Sequence, residues 1–349
     1  MSSAQVKNIL IIKPSALGDI ALSLPALASI RKSYPDAKIT WLVRTEFAPL
    51  LEMTKNLDDL ILFDRKLLGK CWYRPKAFMA LIRFFRVLRK GRFDLVIDLQ
   101  GLFRTAFFAW VTASKLRFGM KDAREFAGLF YTQLISKSDD CIHLIDYHNK
   151  IISAAGVSEP VIDYGLQISG ESESKVDELL ESRGCLNQKY AVLITGAAHE
   201  RKCWSVKKFA VLAEKLNKQF GLTVIAVGTA SESNRLQQLK DISVVEVIDL
   251  AGKTTIPVLA ALLKRAEIVI SNDTGPGHIA VAVGSPLVMI FGPTNPTRIY
   301  PYRKPESVAA IEPFDRGTAI GSSESKYDID NISIELVLNK VSEVLGDAE

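Results

Sequence analysis

Cysteine is scarce in this chain. Its four residues, Cys71, Cys141, Cys185 and Cys203, are scattered with no C-x-x-C pair. That spacing argues against a disulfide framework and against a cysteine zinc site, and it fits a protein of a reducing cytoplasm. Long apolar runs are missing too: nothing approaches the ~18–20 residues that span a bilayer. The opening stretch MSSAQVKNILIIKPSALGD has an apolar run of only four residues, where a signal peptide carries a longer one behind a charged start. Histidine is held to four residues, and no clustered His/Cys motif offers a metal site. Acidic residues vanish locally: from Arg65 to Phe93 there are ten Lys/Arg and no Asp or Glu.

What remains is 48% hydrophobic and 24% charged, enough for substantial cores, and 349 residues accommodate two domains. Charge is divided unevenly. Residues 1–160 hold 24 Lys+Arg against 15 Asp+Glu, whereas the remainder holds 20 against 24. The first half is therefore suited to an anionic partner, and the second is no general polyanion binder.

Short β-branched runs recur with helical stretches between them. ILII (9–12), KITWLV (38–43) and DLVIDL (94–99) read as strands in the first half. YAVLIT (190–195), LTVIAVG (222–228), VEVIDL (245–250), EIVIS (267–271), PLVMIFG (286–292) and VAAI (308–311) read as strands in the second. Near-continuous apolar runs suit parallel strands buried on both faces. LSLPALASIRKSY, VKKFAVLAEKLNKQF and TIPVLAALLKRA carry apolar residues at helical spacing. The expectation is a doubly wound α/β pattern occurring twice, over residues 1–165 and 166–349. GVSEPVIDYGLQISGESESK (156–175) reads as the linker, DRGTAIGSSESKYD (315–328) as a loop, and 331–346 as an amphipathic terminal helix that is a candidate to pack back on the first domain. No repeat of fixed period is present.

In open α/β sheets ligands bind beyond the carboxyl ends of the strands, so the residues there carry the functional reading. Asp19, after the first strand, is either a helix N-cap or a carboxylate presented as a general base, with Lys13 and Ser15 as polar partners. After YAVLITG, the small residues Gly196, Ala197 and Ala198 let a ligand approach the backbone. Lys202 stands just before a helix capped by Ser205, where a cation opposes the helix dipole unless an anion sits nearby. An exposed, functionless lysine is the competing reading. Glu232, early in the next helix, suits the dipole alone and also suits the vicinal hydroxyls of a ribose.

The stretch SNDTGPGHIAVAVGSPLVMIFGPTNP is the most loaded. Gly275-Pro276-Gly277-His278-Ile279-Ala280 fits a dinucleotide fingerprint, but from Ala280 to Arg303 there is no Asp or Glu to grip a ribose. The position, late in the second half, is also wrong for that motif. Asp273, Thr274, Gly275 and His278 at a helix N-terminus instead read as a diphosphate site, with a purely structural turn as the alternative.

Taken together, ILIIKPSALGDIALSLPALASIRKSYPDAKITWLV, DLVIDLQGLFRTA, DAREFAGLFY, RKCWS and the SNDTGPGH stretch resemble the ADP-heptose:lipopolysaccharide heptosyltransferases, nearest the heptosyltransferase I branch, in order over residues 9–298. The resemblance implies a GT-B glycosyltransferase with two Rossmann-like domains facing across a cleft. The acceptor would sit on the first domain and the nucleotide sugar on the second, with inversion and no metal or other cofactor. It implies Asp19 as general base and Lys202 on the donor phosphate. Glu232 would hold the ribose, and Gly196, Ala197, Ala198, Asp273, Thr274, Gly275 and His278 would complete the donor site for ADP-heptose. In the enterobacterial branch a Thr pair stands where this chain has Ala197-Ala198, so two hydroxyl contacts are missing here. Pro276 and Gly277 also replace larger residues.

The implied acceptor is an anionic lipopolysaccharide core, Kdo-lipid A. Lys13, Ser15, Arg104, Arg117 and Arg124 are the acceptor candidates, since Arg grips carboxylates with two parallel hydrogen bonds. Arg83, Arg86 and Lys90 share a helical face suited to the inner surface of an anionic membrane, or to no more than solvent. Nucleic acid is not expected, because no recognition fold accompanies the charge. Competing readings are the same scaffold acting on another nucleotide sugar or surface glycan, and a non-catalytic nucleotide-sugar or lipid-binding module. The joint presence of Asp19 and Lys202 weighs against the module.

Overall fold

The computed structural model describes residues 6–137 and 143–346; Cys141 lies outside the described residues. The chain forms two compact units, Met1–Gln167 and Ile168–Glu349. Among the described residues, no helix is long and apolar enough to cross a membrane.

The first unit is built on β1 (Asn8–Ile12), β2 (Lys38–Arg44), β3 (Asp59–Phe63), β4 (Leu95–Asp98), β5 (Leu116–Met120) and β6 (Gln133–Ile135). They form one parallel sheet in the order β3-β2-β1-β4-β5-β6. The apolar runs NILII and LVID lie at its centre because helices cover both faces there, leaving no solvent side for polar residues to fill. Register follows: Ile12 pairs with Leu42 on one side and Asp98 on the other. Lys13 therefore leaves the sheet beside the turn after β4.

The second unit repeats the scheme with β7 (Tyr190–Ile194), β8 (Thr223–Val227), β9 (Val247–Asp249), β10 (Ile268–Asn272), β11 (Leu287–Ile290) and β12 (Val308–Ala309). Their order, β12-β11-β10-β7-β8-β9, matches that of the first sheet when each unit is counted from its own first strand. Ser271 pairs with Ile194, so Asn272 and Asp273 emerge beside Thr195 and Gly196. This is the doubly wound, Rossmann-like α/β architecture expected from the sequence, occurring twice.

Three strands escape the sequence reading: β3, β5 and β6. They lie toward the sheet edges: β5 and β6 are only partly buried and lack a continuous apolar run, whereas β3 carries the run LILF, with Leu62 exposed, and is passed over all the same. The stretch 156–175 also departs from a plain linker. Its second half enters the helix Gly170–Glu181, which Ser169 caps by accepting from the Ser172 N–H. Its first half is tied down within the first unit, where Ser29 Oγ accepts from the Val161 N–H and Met53 O accepts from the Gln167 N–H. The helix Ile334–Gly346, named from the sequence as a candidate to pack back on the first domain, buries Val337 and Val341 in the second unit's own core. The loop 315–328 is anchored by Arg316, which donates to Gly292 O at 2.6 Å and lies 4.0 Å over the Tyr327 ring.

Candidate active site

Asp19 sits in the third position of the short helix Leu17–Ala21 rather than at its cap, which is Ala16. Its Oδ2 accepts from the Ala16 N–H at 3.3 Å and lies 3.6 Å from Lys13 Nζ. Lys13 itself is buried, and its ammonium also donates to Leu99 O at 3.1 Å. Beneath it lies the fully buried His148, whose pKa is pushed well below the usual value by burial first and then by the neighbouring Lys13 and His143. A neutral imidazole thus backs the ammonium. Burying a lysine is costly unless partners meet its charge, and here Asp19 and a carbonyl do so. The result is a half-exposed carboxylate held in one orientation.

The turn after β4 braces this arrangement, and the sequence reading missed its principal residue. Asp98 is fully buried; it accepts from the Tyr131 hydroxyl at 2.7 Å and from the N–H groups of Gln100 and Gly101 at 2.7 and 3.2 Å. Burial raises its pKa against the hydrogen bonds, those from Tyr131 and Thr105 foremost. Gln100 in turn offers Oε1 to the Ser15 N–H at 3.4 Å. The signal was present in the quoted DLQG, since an Asp inside an apolar run must find donors when it is buried. The tyrosine that supplies one stands 33 residues away.

In the second unit Asp273 is the buried member. Its Oδ2 accepts from Lys202 Nζ at 2.7 Å, and its Oδ1 faces His278 Nε2 at 3.5 Å. Burial alone would raise its pKa, but the His278 hydrogen bond and the Lys202 charge outweigh it and hold the carboxyl well below the ordinary carboxylate range. Lys202 ends a one-turn 3₁₀ segment, Glu200–Lys202, and remains partly exposed, with further N–H groups for another anion. Thr274 caps the helix Gly275–Ala282 through its backbone alone, so its hydroxyl is not used in capping. The first-turn N–H groups carry the positive end of the helix dipole. A side chain at Gly277 would meet Ser271 Oγ at 2.6 Å, which explains why no larger residue stands there.

Glu232 occupies a niche between two glycines. A methyl at Gly196 would overlap its Oε1, and one at Gly228 would come within 3.1 Å of Oε2. Oε2 accepts from the N–H and hydroxyl of Thr229 at 2.6 and 2.8 Å, which fixes the carboxylate beside Gly196. Asn272, also missed by the sequence reading, joins the parts. Its Nδ2 donates to Thr195 O at 2.7 Å and its Oδ1 accepts from the Trp204 N–H at 3.1 Å. Trp204 is fully buried and donates to Ile332 O, so the segment bearing Lys202 is pinned from both sides. Within the second unit, then, Gly196, Lys202, Glu232, Asp273, Thr274, Gly275 and His278 stand on adjoining strand ends. Ala197 is half-buried and Ala198 exposed in the loop that follows Gly196.

The acceptor candidates separate. Arg104 and Arg124 are exposed, and Ser15 is half-buried. Arg117 is committed elsewhere: its guanidinium donates to Phe130 O at 2.7 Å and to Ser114 O. Lys13 faces Asp19 and Leu99 O, as described. Arg83, Arg86 and Lys90 are exposed on the helix Pro75–Lys90, which is held to the core by Ala77, Phe84 and Leu88. Val87 is half-exposed on the same helix.

Comparison with known proteins bears on the fold and the family. A solved glycosyltransferase family 9 protein from Veillonella parvula superposes with a TM-score of 0.82 at 24% identity, covering 98% of this chain and 97% of that one. The Escherichia coli heptosyltransferase WaaC, solved with ADP, gives 0.77 at 22% identity, covering 97% and 99%. In sequence, lipopolysaccharide heptosyltransferase 1 of Campylobacter coli is 27% identical, covering 97% of this chain and 99% of the relative. These likenesses establish the GT-B fold, and the model of glycosyltransferase family 9 (heptosyltransferase) matches residues 81–316. With most of its length inside that match, the chain belongs to glycosyltransferase family 9, the heptosyltransferases.

Proposed function

We propose that this protein transfers heptose from ADP-heptose to the Kdo-bearing inner core of lipopolysaccharide, with inversion at the anomeric carbon. The observation that carries the reading is the Lys202–Asp273–His278 cluster at the start of the helix Gly275–Ala282, beside the glycine-walled Glu232. Support also comes from the E. coli neighbour solved with ADP and from relatives named for lipopolysaccharide heptose transfer.

Glycosyl transfer needs a base for the acceptor hydroxyl and a means of stabilising the departing diphosphate. Asp19 takes the acceptor proton as that oxygen attacks the anomeric carbon and the bond to ADP breaks. Lys13 acts as a positioning residue for this carboxylate. Lys202, the Thr274 hydroxyl, the first-turn N–H groups and His278 meet the charge on the leaving diphosphate, and Glu232 takes the ribose hydroxyls. Ala197 and Ala198 bring no hydroxyls, so that loop contributes backbone N–H groups only. Arg104 and Arg124, with Ser15, receive the acceptor's carboxylates. The enzyme works at the cytoplasmic face of the inner membrane, drawn to its anionic surface by Arg83, Arg86 and Lys90.

Incubation with ADP-heptose and a Kdo-lipid acceptor, read by mass spectrometry, tests this directly. The expected product is the acceptor heavier by one heptosyl unit, with release of ADP. Transfer from a different nucleotide sugar, with none from ADP-heptose, would overturn the donor assignment.

A further inference from the structure

The helix Phe103–Val111 presents the opposite of a solvated surface. Its inner face, Thr105, Ala106, Phe108 and Ala109, is buried. Its outer face carries Phe103, Phe107 and Trp110, spaced i, i+4 and i+7, where a surface helix ordinarily places polar side chains. Phe107 stacks with Phe103 at 6.4 Å and with Trp110 at 5.6 Å, and Phe130 meets all three near edge-on at 5.3–6.3 Å. Phe85, on the basic helix, joins them 5.8 Å from Phe107.

The turn leading to Phe130 extends the same face. Phe126 and Leu129 are 83% and 81% exposed. Phe126 has φ 61° and follows Glu125 at φ 59°. That left-handed region is unfavourable for a bulky residue, so the backbone is strained where Phe126 stands in the open. An exposed apolar face of this extent marks an interaction site.

The charge around it selects the partner. Arg83, Arg86 and Lys90 are exposed on the helix that carries Phe85, Arg104 is exposed on the aromatic helix, and Arg124 is exposed in the turn, where Glu125 and Asp122 are the acidic neighbours. A second copy pairing through this face would bring two basic rims together, which is repulsive. An anionic bilayer surface attracts the basic rim, and aromatic rings settle at the headgroup level. We propose that this aromatic face of the first unit inserts into an anionic membrane surface: Phe103, Trp110, Phe126 and Leu129 enter the headgroup–acyl boundary, and Arg83, Arg86 and Lys90 beside them bind lipid phosphates. This goes beyond attraction by the basic helix alone, and it holds whichever sugar the enzyme transfers.

Tryptophan fluorescence isolates the contact, because Trp41 and Trp204 are fully buried while Trp72 and Trp110 are exposed. In a Trp72→Phe chain, vesicles of phosphatidylglycerol and phosphatidylcholine carrying brominated acyl chains should quench and blue-shift Trp110; pure phosphatidylcholine should do so far less. The Phe126→Ser/Leu129→Ser variant should partition into the anionic vesicles roughly tenfold less or weaker still, with unchanged thermal melting and ADP affinity. Absence of Trp110 quenching at low salt overturns the proposal. So does a lipid-free dimer that the double variant dissociates, which would give the face to a second copy. Should the double variant misfold, Trp110 quenching in the Trp72→Phe chain still decides.

Discussion

In the first unit the lysine is buried and the carboxylate is presented; in the second the arrangement is inverted. The Lys13 side chain is 4% exposed against 41% for Asp19, whereas Asp273 is 5% exposed against 29% for Lys202. Both pairs stand at the carboxyl ends of strands in sheets of the same order. In each, a charge taken out of water is stabilised by its partner and fixes that partner's direction. The member left facing solvent then sets the chemistry. An exposed carboxylate accepts a proton; an exposed ammonium meets a phosphate. One topology thus presents a carboxylate in one unit and an ammonium in the other through a reversal of which partner is buried.

That contrast breaks most visibly at the presented groups. Asp19→Asn should lower kcat about a hundred- to ten-thousand-fold, the range of a lost general base, while ADP affinity measured by calorimetry stays the same. Lys13→Met should lower kcat about tenfold with KM for the donor unchanged, since it acts through Asp19. Equal activity of Lys13→Met and wild type would end the positioning role.

Lys202→Met is expected to differ in kind: roughly a hundred- to a thousandfold loss in kcat/KM, accompanied by weaker ADP binding. Unchanged ADP affinity would remove the phosphate from Lys202 and with it the symmetry between the units.

Gly196→Ala sharpens the second unit's side of the comparison. The new methyl must displace the Glu232 carboxylate, the mobile end of a side chain, so stability should change by only about 1 kcal/mol or less. ADP affinity should nonetheless fall several-fold in calorimetry. An unaltered affinity would take Glu232 off the ribose.

The smallest effect is on acid stability. Asp273 is held below the ordinary carboxylate range, so below about pH 4, near the unfolded value of about 3.9, the unfolded chain takes up a proton that the folded one refuses. Stability falls as pH falls through that window toward the folded value. Denaturation midpoints of Asp273→Asn from pH 5 to pH 3 should decline less steeply than those of the wild type; parallel slopes would show that the pair contributes nothing to pH dependence.

Legibility in the sequence tracked the local character of each signal. The central strands were readable because burial on both faces demands continuous apolar runs, and the helix Val206–Phe220 was readable from its period, ending at Gly221 with φ 67°. Strands β5 and β6 were not, since partial exposure admits polar residues into them; β3, with the run LILF, was passed over although its pattern resembles the central strands. Asp19, Lys202, Glu232, Asp273 and His278 were visible because they follow strands and open helices. Arg117 looked like an acceptor ligand from its type alone; its carbonyl partners, Ser114 and Phe130, are set by the local fold. Which face of the helix Phe103–Val111 is buried was not read from the sequence; the packing of Phe108 and Ala109 inward leaves Phe103, Phe107 and Trp110 on the outer side.

The sequence by itself determined where the central strands run, which turns carry polar residues, and that positive charge gathers in the first half, because each follows from spacing and composition along the chain. Only the tertiary structure decided which member of each ion pair is buried, that Asp98 finds Tyr131, and which face of an aromatic helix meets water. Those outcomes depend on contacts between residues tens of positions apart, and burial, unlike periodicity, is a property of the packed chain.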